Sequence, residues 1–231
     1  MENYEMLWII VTASFSGILS IYFGYKRFIY LHQLTLRNLS IAVLMGTIAL
    51  TLLLILYKIE IMNENVGVAI ITNMYASICG FFSGSAFNQF KMKKNAGAVL
   101  YAHRSFLIDH ASVILALGFL LFGVFRTAIF TDLPLTPIRV SSGFSIVAFA
   151  VWGLTLRLVP EFRQHGIILL DYKIDWENFL NYSWYLIEVI EIEYQQNDSI
   201  KHFKTFIPHV DHSILEDILR KKMMEKVSIS N

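Results

Sequence analysis

LSIAVLMGTIALTLLLILY, from Leu39 to Tyr57, runs for nineteen residues without a charge. A helix that crosses the hydrocarbon core of a bilayer needs about 20 largely apolar residues, because no water is present there to satisfy an exposed peptide group. This run meets that need, and others surround it. Leu7–Tyr25 is uncharged, and so is Val66–Phe87, which is more polar through Asn73, Ser77, Ser83 and Ser85. Ala111–Phe125 is short and becomes long enough only by continuing past Arg126 to Phe130. Val140–Leu156 is bounded by Arg139 and Arg157, whose long side chains can reach the headgroups. A soluble bundle would carry a charged face on most helices, and none is present. The sequence therefore predicts a membrane α-helical bundle with spans near 7–25, 39–57, 66–87, 107–130 and 138–157. Four spans, without the weaker fourth or first, is the alternative.

Composition agrees. The 231 residues are 55% hydrophobic and 16% charged, with a mean hydropathy of +0.53, against roughly 25% charged in soluble domains. Charges are scarce from Met6 to Pro160 and return to ordinary density afterwards, which divides the chain into a bundle over 1–160 and a domain over 161–231. A net charge of +1 gives no basic excess for nucleic acid. Cys79 is the single cysteine, so no intrachain disulfide can form.

Charge also orients the bundle. Lys26, Arg27 and Arg37 lie in the first connection and Lys91, Lys93, Lys94 and Arg104 in the third, both without an acid. Lys58 in the second is outnumbered by Glu60 and Glu64, and Asp132 lies between Arg126 and Arg139 in the fourth. Positive residues favour the cytoplasm, so the N-terminus is expected outside and the C-terminus inside, in a bacterial inner or plasma membrane. Met1–Met6 carries Glu2 and Glu5 where a secretory signal would be basic, which suits an anchor.

Past Pro160 the apolar runs shorten. Gly166–Tyr172 reads as a strand opened by glycine, and Ile187–Tyr194 alternates Glu191 and Glu193 with Ile190, Ile192 and Tyr194, the period of a half-buried strand. Gln195–Ser199 reads as a turn and Lys201–Ile207 as the returning strand of a hairpin. After Pro208, Ser213 and Glu216 match a capping box. Ile214, Leu215, Ile218 and Leu219 share one helix face, and Lys221 and Lys222 fall near its end. A small cytoplasmic α+β domain with antiparallel strands and a C-terminal helix is expected.

Gly166-Ile167, Ile174-Asp175-Trp176-Glu177-Asn178-Phe179 and Tyr182-Ser183-Trp184 together resemble the pattern of small pleckstrin-homology-like domains. These end uncharacterised bacterial membrane proteins, notably cyanobacterial ones. The resemblance covers about 60 residues, departs at Phe179, where an aliphatic residue is usual, and implies a fold without a chemistry. Trp176, Tyr182 and Trp184 are expected in its core.

Within the third span, Ala76, Gly80 and Gly84 are four apart on one face, the spacing that lets helix backbones approach. They mark ordinary packing within the bundle or a contact in a homo-oligomer. Asn73 near that face can bond a neighbouring helix or line a polar path. Arg126 is the charge set deepest in an apolar run, able to snorkel or to serve a function. His103, Asp109 and His110 offer two imidazoles and a carboxylate for a metal or proton site, but no further positioned ligand accompanies them. No phosphate loop, nucleophile elbow or paired-histidine motif occurs, and no cofactor, metal or catalytic group is called for.

The expected partners are the lipid bilayer and a cytoplasmic protein or lipid headgroup. The leading expectation is a non-enzymatic scaffold, signalling or docking protein that uses its cytoplasmic domain. The alternative is a small channel or transporter subunit acting as an oligomer, and a membrane enzyme built on His103, Asp109 and His110 comes third.

Overall fold

The computed structural model describes residues 2–27, 31, 35–103, 106–196 and 198–230. These form six α-helices, α1 (Glu2–Lys26), α2 (Leu36–Lys58), α3 (Glu64–Asn95), α4 (Phe106–Arg126), α5 (Pro137–Thr155) and α6 (His212–Ser230). The described residues also form seven strands, β1 (Val99–Ala102), β2 (Arg157–Arg163), β3 (Gly166–Leu170), β4 (Tyr172–Ile174), β5 (Phe179–Leu186), β6 (Val189–Gln196) and β7 (Ser199–Phe206). The chain divides into two compact units, Met1–Asn88 with His110–Thr155, and Gln89–Asp109 with Leu156–Asn231.

The first unit is helical because its sequence is a series of uninterrupted apolar runs. Among the described residues, four helices are long and apolar enough to cross a membrane: α1 over Met6–Lys26, α2, α3 and α5. The described part of α4 available for that comparison, His110–Arg126, is a shorter apolar helix. The expected continuation of the fourth span to Phe130 does not occur. Thr127 closes the last turn and Ala128 takes a φ of 62°, which breaks the helix. α2 opens on a cap, with Thr35 Oγ1 accepting from the Asn38 amide at 3.2 Å, and buries none of its residues. The rings of Phe82, Phe119, Phe149 and Trp152 form a cluster with centroids 5.0–5.8 Å apart, joining α3, α4 and α5.

The second unit takes more of the chain than the contiguous tail over 161–231 read from the sequence. β1 comes from the connection before α4, and β2 begins at Arg157, the residue that bounds the fifth apolar run, within the stretch to Pro160 that the sequence assigned to the bundle. One antiparallel sheet has the order β1-β2-β3-β4 and a second β5-β6-β7. Val99 pairs with Arg163 and Ala102 with Glu161. Gly166 opens β3 at a φ of +146°, where a Cβ would strike the Ile174 carbonyl, so only glycine makes this bend cheaply. In β6, Ile190, Ile192 and Tyr194 point inward while Glu191 and Glu193 alternate outward, as the period of two predicts. Leu215 and Leu219 of α6 are fully buried with Phe162, Ile167, Ile168, Phe179, Ile190 and Ile192.

Candidate functional site

The surface of the second unit offers three arrangements, each built on a different pair of elements. The first is an ion cluster on β2. Side chains two apart on a strand share a face, which places Glu161 and Arg163 together. Glu161 is 8% exposed, accepts from Arg163 Nη2 at 2.6 Å and Nε at 2.8 Å, and meets Arg157 Nε at 3.0 Å. Arg163 Nη1 donates to the carbonyls of Lys93 and Gly97 at 3.1 and 2.9 Å. The guanidinium thus ties β2 to the chain leading into β1. Its donors are used within the fold, so the cluster is structural.

The second is a cavity of about 530 Å³ beside α6, lined by Gln164, His165, Lys173, Asp175, Trp176 and Lys222 among others. Its cations are engaged. Lys173 pairs with Asp175 at 2.5 Å, Lys222 with Glu225 at 2.6 Å, and Lys226 donates to the Phe179 carbonyl at 2.8 Å. An anion entering here would have to displace these partners.

The third lies where the second sheet meets α6. Trp184 and His212 stack with centroids 3.8 Å apart, and Trp184 Nε1 donates to Glu216 at 2.7 Å. His209 lies 4.9 Å from His212. Lys204 Nζ stands 3.3 Å over the Tyr185 ring, within cation–π range. Beyond this aromatic rim the β5–β6 turn projects Leu186 and Ile187 into solvent. Tyr101 on β1 donates to Asp211 at 3.0 Å, and burial, then that bond, raises its phenol above the ordinary tyrosine range.

The structure distributes the residues singled out in the sequence as follows. Trp176, Tyr182 and Trp184, expected in the core, are half-buried. Trp176 Nε1 donates to the carbonyls of Arg163 and Gln164 at 3.0 and 3.1 Å, and its ring meets Phe179 edge-on. Glu216, expected to cap α6, instead accepts from Trp184. Ile214, assigned to the packed face, is exposed, while Leu215 and Leu219 hold the core.

In the first unit, Ala76, Gly80 and Gly84 lie against α1. A Cβ on Gly80 would strike the Gly17 carbonyl, one on Gly84 the Ile21 carbonyl, and one on Gly24 the Phe81 carbonyl. Asn73 bonds the same helix, accepting from Ser16 Oγ at 2.7 Å and donating to Thr12 Oγ1 at 3.1 Å. Ser85 Oγ donates to the Gly24 carbonyl at 3.3 Å, and Asn88 Nδ2 to that of Tyr25.

Arg126 is exposed in the last turn of α4. His103 follows β1 with its ring 5.7 Å from Phe206, and His110 is exposed on α4. Arg104 and the Asp109 side chain lie outside the described residues. Among those described, no group of three or more His, Cys, Asp and Glu is placed to hold a metal ion. Glu161 and Arg163 drew no notice in the sequence, where their spacing of two would have signalled a shared strand face.

Compared with protein-family models, curated proteins and solved structures, the chain finds no match.

Proposed function

We propose that this chain is a multi-pass membrane protein of non-enzymatic function whose second unit docks a partner at the cytoplasmic face. The observation that carries this is the pairing of β1 with β2. Both strands belong to one sheet, so the chain between Ala102 and Arg157 must begin and end on the same side of any membrane it crosses. α5 has the length and composition of a span, and α4 must then cross with it. Its 21 residues rise about 32 Å at ~1.5 Å each, near the ~30 Å of a hydrocarbon core. With α1, α2 and α3 the spans number five, and the lysine and arginine bias sets the N-terminus outside and the second unit in the cytoplasm, a topology suited to a bacterial inner membrane.

Seven strands in sheets of four and three, followed by a helix, supply more strands than the tail alone offers. They support a pleckstrin-homology-like reading, in which the unit is a recognition module. The features that motivated a channel are used elsewhere, since Asn73, Gly80 and Gly84 are engaged with α1. A membrane enzyme built on His103, Asp109 and His110 draws no support from the geometry of His103 and His110.

Flux assays on the full chain in liposomes test this reading. Ion and small-solute leakage no faster than in protein-free liposomes is expected, and leakage that scales with protein would favour a channel. Cysteines at Glu2 and Ser230, in a Cys79→Ser background, should label from opposite sides. Labelling from one side would overturn the five-span topology.

A further inference from the structure

We propose that the apolar tip of the second sheet, formed by Leu186, Ile187 and Val210, inserts into the surface of the bilayer that carries the rest of the chain. This deepens the docking reading above and rests on it, naming lipid as what the second unit engages.

The tip is assembled from two segments. Leu186 and Val189 face each other across the β5–β6 turn, and Val189 pairs with Phe206 at the end of β7. The Glu188 carbonyl accepts from the Ile207 amide at 2.9 Å, and the His209 amide lies 3.5 Å from its carboxylate. These bonds hold Ile207 and His209 against Glu188 of the turn, and Val210 is the next residue along the chain. Leu186 is 61% exposed, Ile187 78% and Val210 81%, with Phe206 and Ile214 also open. A β-turn is ordinarily built from polar residues and glycine, yet this one presents two large aliphatic side chains. Clustered exposed apolar side chains of this kind mark a contact with protein or membrane.

Chain length selects the membrane. Asn95 of α3 is followed by β1 at Val99, Ala102 of β1 by α4 at Phe106, and Thr155 of α5 by β2 at Arg157. An extended residue spans at most about 3.6 Å, so no link exceeds roughly 15 Å. With α3, α4 and α5 in the membrane, the unit is tethered three times at its surface. Lipid is then always within reach at high effective concentration, whereas a soluble partner or second copy must arrive by diffusion. The flank fits an interface, because Tyr185 lies under Lys204 and Trp184 stacks on His212, and amphipathic aromatics are favoured at headgroup depth. Lys204 at the flank is paired with Glu191 at 3.8 Å and Glu188 and Asp211 lie near the tip, so no basic excess is present, the driving force is apolar burial, and insertion should not require anionic lipid.

The test uses the full chain with Cys79→Ser, carrying Ile187→Cys or Val210→Cys, each labelled with bimane in nanodiscs holding one copy. Glu177→Cys, at an exposed position away from the turn, is the comparison. Nitroxide-bearing phosphatidylcholine should quench the labels at 187 and 210 at least twofold, equally with and without phosphatidylglycerol, and aqueous iodide should quench them weakly. The label at 177 should show the reverse. Quenching at 187 and 210 by iodide alone overturns the proposal. Shielding from both quenchers also overturns it and indicates a protein surface over the tip. Failure of the docking reading is separable, since it would appear as protein-dependent flux or as external labelling of Ser230→Cys.

Discussion

Tyr101 and Asp211 are 110 positions apart in the sequence and joined by a 3.0 Å hydrogen bond. The bond fastens β1, which precedes α4, to the turn that introduces α6.

Its first consequence is a dependence on pH. Burial, then the bond to Asp211, raises the Tyr101 pKa, and burial beside Tyr194 raises that of Tyr172. A group whose pKa is raised by folding contributes stability that is whole below its unfolded value, about 10 for tyrosine, and lost as pH climbs above it. The second unit should therefore melt at progressively lower temperature above about pH 10. Tyr101→Phe should flatten that decline, and the double variant with Tyr172→Phe should flatten it further. An unchanged slope in the double variant would disprove the assignment.

At the helix seam, Gly80→Leu and Gly84→Leu force a side chain onto the carbonyls of Gly17 and Ile21. Overpacking of this kind costs about 1–3 kcal/mol, so both variants should melt earlier in detergent. Gly46→Leu on α2, where nothing lies within 4 Å, should melt no earlier than the parent. If all three behave alike, the seam does not exist in detergent.

The half-buried Trp176 and the fully buried Phe179 give an ordered pair. Truncation of a buried aromatic to alanine costs about 3–5 kcal/mol, and Phe179→Ala should reach that range. Trp176→Ala should cost about half as much, and both should render the segment after Pro160 more sensitive to protease while leaving the helices of the first unit unchanged. Limited proteolysis ranks the two, and equal or reversed sensitivity would contradict the burial.

Removing the Glu161 carboxylate leaves Arg163, with a side chain only 14% exposed, without its counter-ion. Breaking a buried pair from one side typically costs about 3–5 kcal/mol. Glu161→Ala should lower the denaturation midpoint of the second unit sharply. Glu161→Gln, which keeps an acceptor for the guanidinium, should lower it less.

The helices were legible because an uninterrupted apolar run imposes one rule over about twenty consecutive residues. The strands of the tail were legible where alternation persisted, as in β6. β1 was not, because Val99-Leu100-Tyr101-Ala102 is four residues in a basic connection whose partner follows α5. β2 was hidden because Arg157 read as the charge that bounds the fifth apolar run, and the scarcity of charge up to Pro160 assigned Leu158, Val159 and Pro160 to the bundle. Trp176 was assigned by size to the core, yet its indole N–H reaches the carbonyls of Arg163 and Gln164, which keeps the ring at the boundary. The glycine seam was visible as a spacing, but which helix met it depended on carbonyls of α1 that no spacing reveals.

The β1–β2 pairing also governs the order in which the protein can be made. β1 is synthesised about 60 residues before β2 is complete, a delay of roughly 3–12 s at 5–20 residues per second. Throughout that interval Val99–Ala102 is a strand edge without its neighbour, the condition that invites pairing with another chain. Closing the β1–β2 pair means joining the two ends of the segment that holds α4 and α5, so the first strand of this sheet to leave the ribosome must wait for both helices before it can pair. A chain that ends before Arg157 keeps all the helices of the first unit and never completes this clasp, and such a fragment would present an orphaned edge to the proteases and chaperones that patrol nascent proteins.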